Sequence, residues 1–398
     1  MLVCDDLVIE ILSWLPVKSL VRFMHASKSL NSFISDLSFV KLHLERSPKN
    51  AKLLIECFVV PMYNFFVSCD IPSLLDNTIP FALYVKHWET LCFVTEILQG
   101  LVCLVNRHCR INDLAFYSVN LWNPATRKTF GSNNWKFILE IDTYPAFGFG
   151  YDNLSNTYKV AAFLPNNSYL QSSNESYVLT ATTYESCWRE IECFPTAAAH
   201  ILNEGVYIHN TLNWLGSTHG TNKPRSDDIK FDELNIISLD LGNETYTQFL
   251  LPRALYGFRL SDFYNLNNYI CEPITIGVVK DCLSLFLQNC TNNHFSLWQM
   301  KEFGDQKSWT QLVNILVPDL EFCDIWNTVN LVPLCTFEDG HIFMVQSHCQ
   351  LQSFVFFYRG SLTTTERPKV PCSISWICPL DYVESLVSFD HNLETYFP

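Results

Sequence analysis

The first fifty residues repeat apolar side chains at helical spacing, whereas everything after them alternates short apolar runs with polar turns. In DDLVIEILSWL (5–15), Leu7, Ile11 and Leu15 recur at i, i+4 and i+8, with Val8 and Leu12 widening the stripe, which predicts an amphipathic helix. Asp5 or Asp6 suits its N-cap and the positive end of its dipole, and Pro16 cannot continue it. A second helix is predicted over PVKSLVRFMHA, where Val17, Leu20, Val21 and Met24 keep helical spacing and Pro16 fits the first turn. Ser27 is placed to cap SKSLNSFI and Asp36 to cap DLSFVKLHLERS, until Ser47-Pro48-Lys49-Asn50 breaks the pattern. A unit of this size buries its own apolar surface poorly, so it is expected to need a partner. The predicted division is a helical domain at 1–46, a linker at 47–52 and a β domain at 53–398.

In the β domain, segments where an apolar strand meets a polar turn recur at Phe66, Trp122, Leu179, Leu239, Trp298 and Phe357, separated by 56, 57, 60, 59 and 59 residues. Each is expected to be the outer half of a propeller blade, with Trp188, Tyr246 or Trp309 opening a returning strand. GLVCLV (100–105), GVYIHNTLNWL (205–215), DCLSLFL (281–287) and GHIFMV (340–345) are the inner-strand candidates. Six such units predict a six-bladed β-propeller, slightly longer per blade than a kelch repeat of roughly 50 residues, whose closure removes exposed sheet edges. Two motifs read as turn and packing chemistry. In Trp122-Asn123-Pro124-Ala125-Thr126 the Asn side chain can satisfy turn amides, and in Phe147-Gly148-Phe149-Gly150-Tyr151-Asp152 the glycines permit close backbone approach.

Charge narrows the choice of partners. The net charge is −14 and the first 49 residues carry +1, which leaves −15 on the remainder. A broad footprint for nucleic acid or anionic lipid is therefore not expected. Sixteen cysteines are scattered without a Cys-x-x-Cys pair, and Cys103/Cys109, Cys187/Cys193 and Cys372/Cys378 have five residues between them, so free thiols are expected rather than zinc or disulfides. The start MLVCDDLVIE lacks a basic n-region and the run at 53–67 is interrupted by Glu56, Pro61 and Asn64. Neither a secretory signal nor a membrane span is expected, and the chain is read as cytoplasmic, nuclear or both.

The string from Asp5 to Asn50 resembles the F-box of plant F-box proteins. GLVCL with LWNPATRK, AFGFGYDNLSNTYKV, ISLDLGNETY and LWQMKEFGDQKSWTQL look like the plant F-box-associated, kelch-like domain of the F-box/kelch-repeat and S-locus F-box-like group. The resemblance implies docking on the Skp adaptor of a cullin-RING (SCF-type) ubiquitin ligase through the segment Ile11 to Phe23, with Leu7, Ile11, Leu15, Pro16, Val17 and Leu20 facing the adaptor. It also implies an unidentified target protein held by the β domain. Two positions depart from the family pattern: Cys4 stands where Pro is usual, and Leu30 where Trp is usual.

No G-x-S-x-G elbow, phosphate-binding G-x-x-x-x-G-K or H-E-x-x-H is present. His108 and Cys109 are adjacent on a predicted strand and point to opposite faces, and His341 and His348 flank another without a partner at telling spacing. No catalytic residue, metal ligand or cofactor is assigned. The expected function is target recognition for ubiquitination by a subunit that does no chemistry itself. The alternatives are a protein that docks on the adaptor without presenting a target, and an enzyme built on a propeller.

Overall fold

The computed structural model describes residues 5–46, 52–59, 63–70, 82–84, 91–111, 114–131, 135–140, 145–164, 175–181, 186–192, 200–201, 204–217, 229–263, 274–289, 294–316, 329–336, 342–348, 353–358, 361–364 and 376–388. Four helices come first: α1 (Asp5–Leu12), α2 (Val17–Ala26), α3 (Lys28–Ile34) and α4 (Leu37–Arg46). The Ser27 hydroxyl accepts from the Leu30 amide at 3.5 Å at the start of α3, and Asp36 Oδ1 accepts from the Ser38 amide at 2.9 Å at the start of α4. Pro16 is the N-cap of α2 rather than its first helical residue, with φ −58° and ψ 143°, and its carbonyl accepts from Leu20 N–H at 3.2 Å. No helix among the described residues is long and apolar enough to cross a membrane.

The described strands form six antiparallel sheets. From the innermost strand outward, blade I is Trp376–Tyr382, Lys52–Val59, Tyr63–Asp70 and Ala82–Tyr84. Blade II is Leu91–Leu98, Leu101–Ile111, Leu114–Asn123 and Lys128–Phe130, its outer edge extended by Lys136–Glu140. Blade III is Ala146–Asp152, Thr157–Leu164, Glu175–Ala181 and Trp188–Ile191. In blade IV, His200–Ile201 and Val206–Ile208 both pair with Thr211–Ser217, followed by Leu234–Asp240 and Tyr246–Leu250. Blade V is Ile274–Val279, Cys282–Asn289, His294–Met300 and Trp309–Leu316. Blade VI is Val329–Thr336, Ile342–His348, Ser353–Tyr358 and Ser361–Thr364. Each innermost strand touches that of the next blade, and the last returns to the first, so the sheets form a closed six-bladed ring. Closure comes from the C-terminal strand, which pairs with the first from Lys52↔Tyr382 to Phe58↔Trp376. The first strand thus starts at Lys52, the last residue assigned to the linker.

All six periodic anchors lie on the third strand of their blades, and Trp188, Tyr246 and Trp309 each open a fourth strand. The inner-strand candidates need correction: those at 100–105, 281–287 and 340–345 fall on second strands, and only 205–215 includes an innermost one. In blades II to V the second strands are paired on both edges and packed on both faces, so their apolar runs are nearly continuous. In blade II, Leu101 to Val105 are all buried.

Inter-blade contacts explain both motifs. Gly148 and Gly205 bridge blades III and IV directly, and a Cβ on Gly205 would lie 2.6 Å from Trp214 Cε2 and 2.9 Å from Gly148 Cα. Trp214 Nε1 donates to the Phe147 carbonyl at 3.2 Å across the same seam. Asn123, fully buried, accepts from the Ala125 and Thr126 amides at 2.9 and 3.3 Å, as its turn demands. Its Nδ2 also donates to the Ser385 and Val387 carbonyls at 3.1 and 2.8 Å, pinning the segment after the closing strand against blade II. Replacing Asn123 by Ala should cost about 2–4 kcal/mol, since two turn amides and two carbonyls lose their partner. Chemical denaturation, together with faster amide exchange at Leu386 and Val387, checks this.

The helices rest at one end of the ring. Short turns join the first to the second strand in blades II to V at that end, where Lys41 of α4 donates to Asn156 Oδ1 in the blade III turn at 3.5 Å. Leu12, Val17, Leu20, Ile34, Phe39 and Val40 of the helical unit share one apolar core with blades II and III and with Leu386 and Val387.

Candidate docking surface

Folding leaves a sharply divided helical unit. Its inner side is sealed: Val17 is 2% exposed, and Leu20 and Ile34 are 0%. Its outer side holds Leu7 and Ile11, each 57% exposed, and Trp14, 56% exposed, at i, i+4 and i+7, with Pro16 exposed beside them. Large apolar side chains this open on one helical face make it the candidate interaction surface.

Among the six residues expected to face a partner, Leu7, Ile11 and Pro16 are exposed and Leu15 is half-buried against the core. Val17 and Leu20 are corrections, because α2 turns both inward onto the core shared with the ring. Trp14 was missed. The sequence stripe runs through Leu15 at i+8, whereas Trp14 at i+7 shares the outward face of Leu7 and Ile11 by ordinary helical spacing, and Leu15 turns toward the core. Phe23 and Leu37 are exposed as well, at 39% and 65%. Cys4 lies outside the described residues, as do the side chains of Asp5, Asp6, His108, Cys109 and His348. Leu30 is half-buried against the core.

Although exposed, Trp14 is held in place. Its Nε1 donates to Glu10 Oε1 at 3.3 Å, and the Arg46 guanidinium lies 5.7 Å from its ring centroid. Arg46 also donates to Glu10 Oε2 at 2.6 Å and to Ser13 Oγ at 3.0 Å, joining α4 to α1. The Arg46 and Trp14 hydrogen bonds hold the Glu10 carboxyl below its ordinary range. An indole fixed in this way loses little freedom on binding, which favours a hot spot.

Beneath the surface, His43 is buried and its Nε2–H donates to the Leu15 carbonyl at 2.9 Å, fixing the turn between α1 and α2. Burial lowers the His43 pKa more than this hydrogen bond raises it. The unfolded chain therefore protonates first, so the contribution is fully present above the unfolded value near ~6.5 and lost as pH falls toward the lower folded value. Acidification from about pH 7 to 5 should lower the melting temperature. A His43→Asn chain should show a shallower dependence, and scans of the two proteins across that range check it.

A model described as an F-box domain matches residues 2–42, and one described as an F-box associated beta propeller domain matches residues 57–370. The chain is 28% identical to an F-box/kelch-repeat protein of Arabidopsis thaliana, across 83% of this chain and 84% of the relative. It is 25% identical to the F-box protein CPR1 of the same plant, across 79% and 73%. Among solved structures, the GH43_1 enzyme from Xanthomonas citri matches 65% of this chain and 82% of its own at 9% identity and a TM-score of 0.35. The WD40 domain of SCAP from fission yeast matches 77% and 62% at 10% identity and a TM-score of 0.33. Scores this low carry no argument about this chain.

Proposed function

We propose, given that this chain belongs to the F-box proteins with an F-box-associated β-propeller, that it is the target-recognition subunit of an SCF-type ubiquitin ligase, working in the cytosol, the nucleus or both. The observation that carries the proposal is the divided helical unit: Val17 and Leu20 anchor it to the ring while Leu7, Ile11 and Trp14 stay open for a Skp-type adaptor. In this reading no side chain of the chain reacts. The ring holds a target near the ubiquitin-charged enzyme recruited through the cullin, and transfer is speeded by effective concentration.

The target surface is assigned to the end of the ring away from the helices. There Ile229–Phe231 lies along Phe258–Leu260: Phe231 N–H donates to the Phe258 carbonyl at 3.1 Å and Leu260 N–H to the Ile229 carbonyl at 2.9 Å. This backbone pairing presents Phe258, 48% exposed, with its ring packed edge-on against Phe263. Ile229 to Asp232 are the described residues of the connection that carries this surface. Phe258→Ala should weaken target capture about tenfold or more while leaving adaptor binding unchanged, as expected for an anchored aromatic at an interface.

A trapping comparison tests the function. Proteins held by both the wild-type chain and a Leu7→Asp/Ile11→Asp chain should acquire ubiquitin only with the wild type, and cullin inhibition should abolish the difference. If captured proteins gain no ubiquitin in either case, the chain docks on the adaptor without presenting a target.

A further inference from the structure

Between α2, α3, the outer turn of blade II and the C-terminal segment lies a partly open cavity of about 230 Å³. Val21, Met24, Ile34 and Leu386 form its apolar wall, and His25, Asn31 and Thr126 are among its polar lining. We infer that this cavity is a binding site for a small apolar molecule carrying a hydrogen-bond-accepting oxygen. The inference is independent of adaptor docking.

The walls come from three separate parts of the chain, and each is fixed. Ile34 is fully buried, α2 is anchored through Val17 and Leu20, and Leu386 sits between the two carbonyls that Asn123 holds. The space is therefore built into the joint, at the kind of junction where ligand pockets concentrate. Its volume sets the ligand size: scaling from an apolar cavity of ~150 Å³ that takes benzene gives about nine non-hydrogen atoms.

The polar side of the lining selects the ligand's head group. The Thr126 hydroxyl oxygen is shielded from solvent and has no hydrogen-bond partner among the described residues. Rotation about one side-chain bond turns that hydroxyl toward the cavity as a donor. Asn31 Oδ1 already accepts from Ser35 Oγ at 3.3 Å, so the end of Asn31 left for a ligand is its NH₂, again a donor. Among the described residues no carboxylate lines the space, and the ionisable ones there are His25 and Lys128. Donors without competing acidic groups favour a carbonyl or carboxylate oxygen over an amine. Such a ligand would touch the helices and the ring together and stiffen the joint between them.

Acetophenone has the required size and one acceptor oxygen, and toluene is a near match without it. With the full-length chain, ligand-observed saturation-transfer NMR should detect acetophenone at about 1 mM, and the melting temperature should rise with its concentration. Thr126→Val should weaken acetophenone about fivefold and leave toluene unchanged, and Met24→Trp, which fills the cavity, should remove both. No acetophenone signal at about 10 mM would overturn the inference. So would binding that neither substitution alters. Should circular dichroism show Met24→Trp misfolded, the Thr126→Val comparison decides alone.

Discussion

An Ile11→Asp chain should fold normally and lose adaptor affinity by about a hundredfold or more. Ile11 is 57% exposed in the free chain, so the substitution removes almost nothing from the core. In the complex it removes a buried side chain worth about 1.5–3 kcal/mol and places a carboxylate in an apolar contact, and a total near 3 kcal/mol is about two decades in dissociation constant. Leu20→Asp would reach the same pull-down result for a different reason. Leu20 is fully buried, so a carboxylate there disrupts the helical unit and its seat on the ring, and loss of binding would say nothing about docking. Unchanged circular dichroism and melting for Ile11→Asp, beside a lowered affinity measured by interferometry, separates the two.

The second large effect is expected inside the ring. Lys159, 6% exposed, lies 3.0 Å from Asp152 and 3.0 Å from Glu244, and donates to the Leu241 carbonyl at 2.6 Å. Arg189 joins Glu244 at 2.7 Å, so two cations and two carboxylates tie blade III to the outer turn of blade IV. Burial alone would raise the Asp152 carboxyl, but the Ser155 hydroxyl, Lys159 and the Leu154 amide hold it below its ordinary range. Glu244 is likewise lowered: its burial is outweighed by Arg189 and Lys159. Removing the cation leaves Asp152, 2% exposed, without its ion-pair partner, so Lys159→Met should cost about 3–5 kcal/mol in chemical denaturation. The linkage has a definite sign. Because both carboxyls are depressed on folding, their contribution is present above the unfolded values near ~4 and lost as pH falls through the folded ones. Lys159→Met should therefore flatten the acid limb of the stability profile as well as lower its plateau.

Much of this architecture was legible in local sequence. The periodic anchors mark the third strand of each blade, and in blades III, IV and V an aromatic opens the fourth, a pattern read without tertiary information. The helix caps at Ser27 and Asp36 followed from residue type and position alone. What was not legible depends on partners far apart in sequence. Asn123 reaches Val387 across 264 residues and Lys159 reaches Glu244 across 85, and no local spacing announces either. The docking surface failed in part for a related reason. Amphipathic spacing identified apolar residues on α1 and α2 but not which side the ring would cover. Val17 and Leu20 went to the core, and Trp14, on the same helical face as Leu7 and Ile11, took a place on the surface.

Calorimetric titration of the purified full-length chain with a purified Skp-type adaptor tests the docking surface most directly. The expected result is one-to-one binding at micromolar affinity or tighter, with a negative heat-capacity change from burial of Leu7, Ile11 and Trp14. A folded chain that shows no binding at about 100 µM adaptor would contradict it.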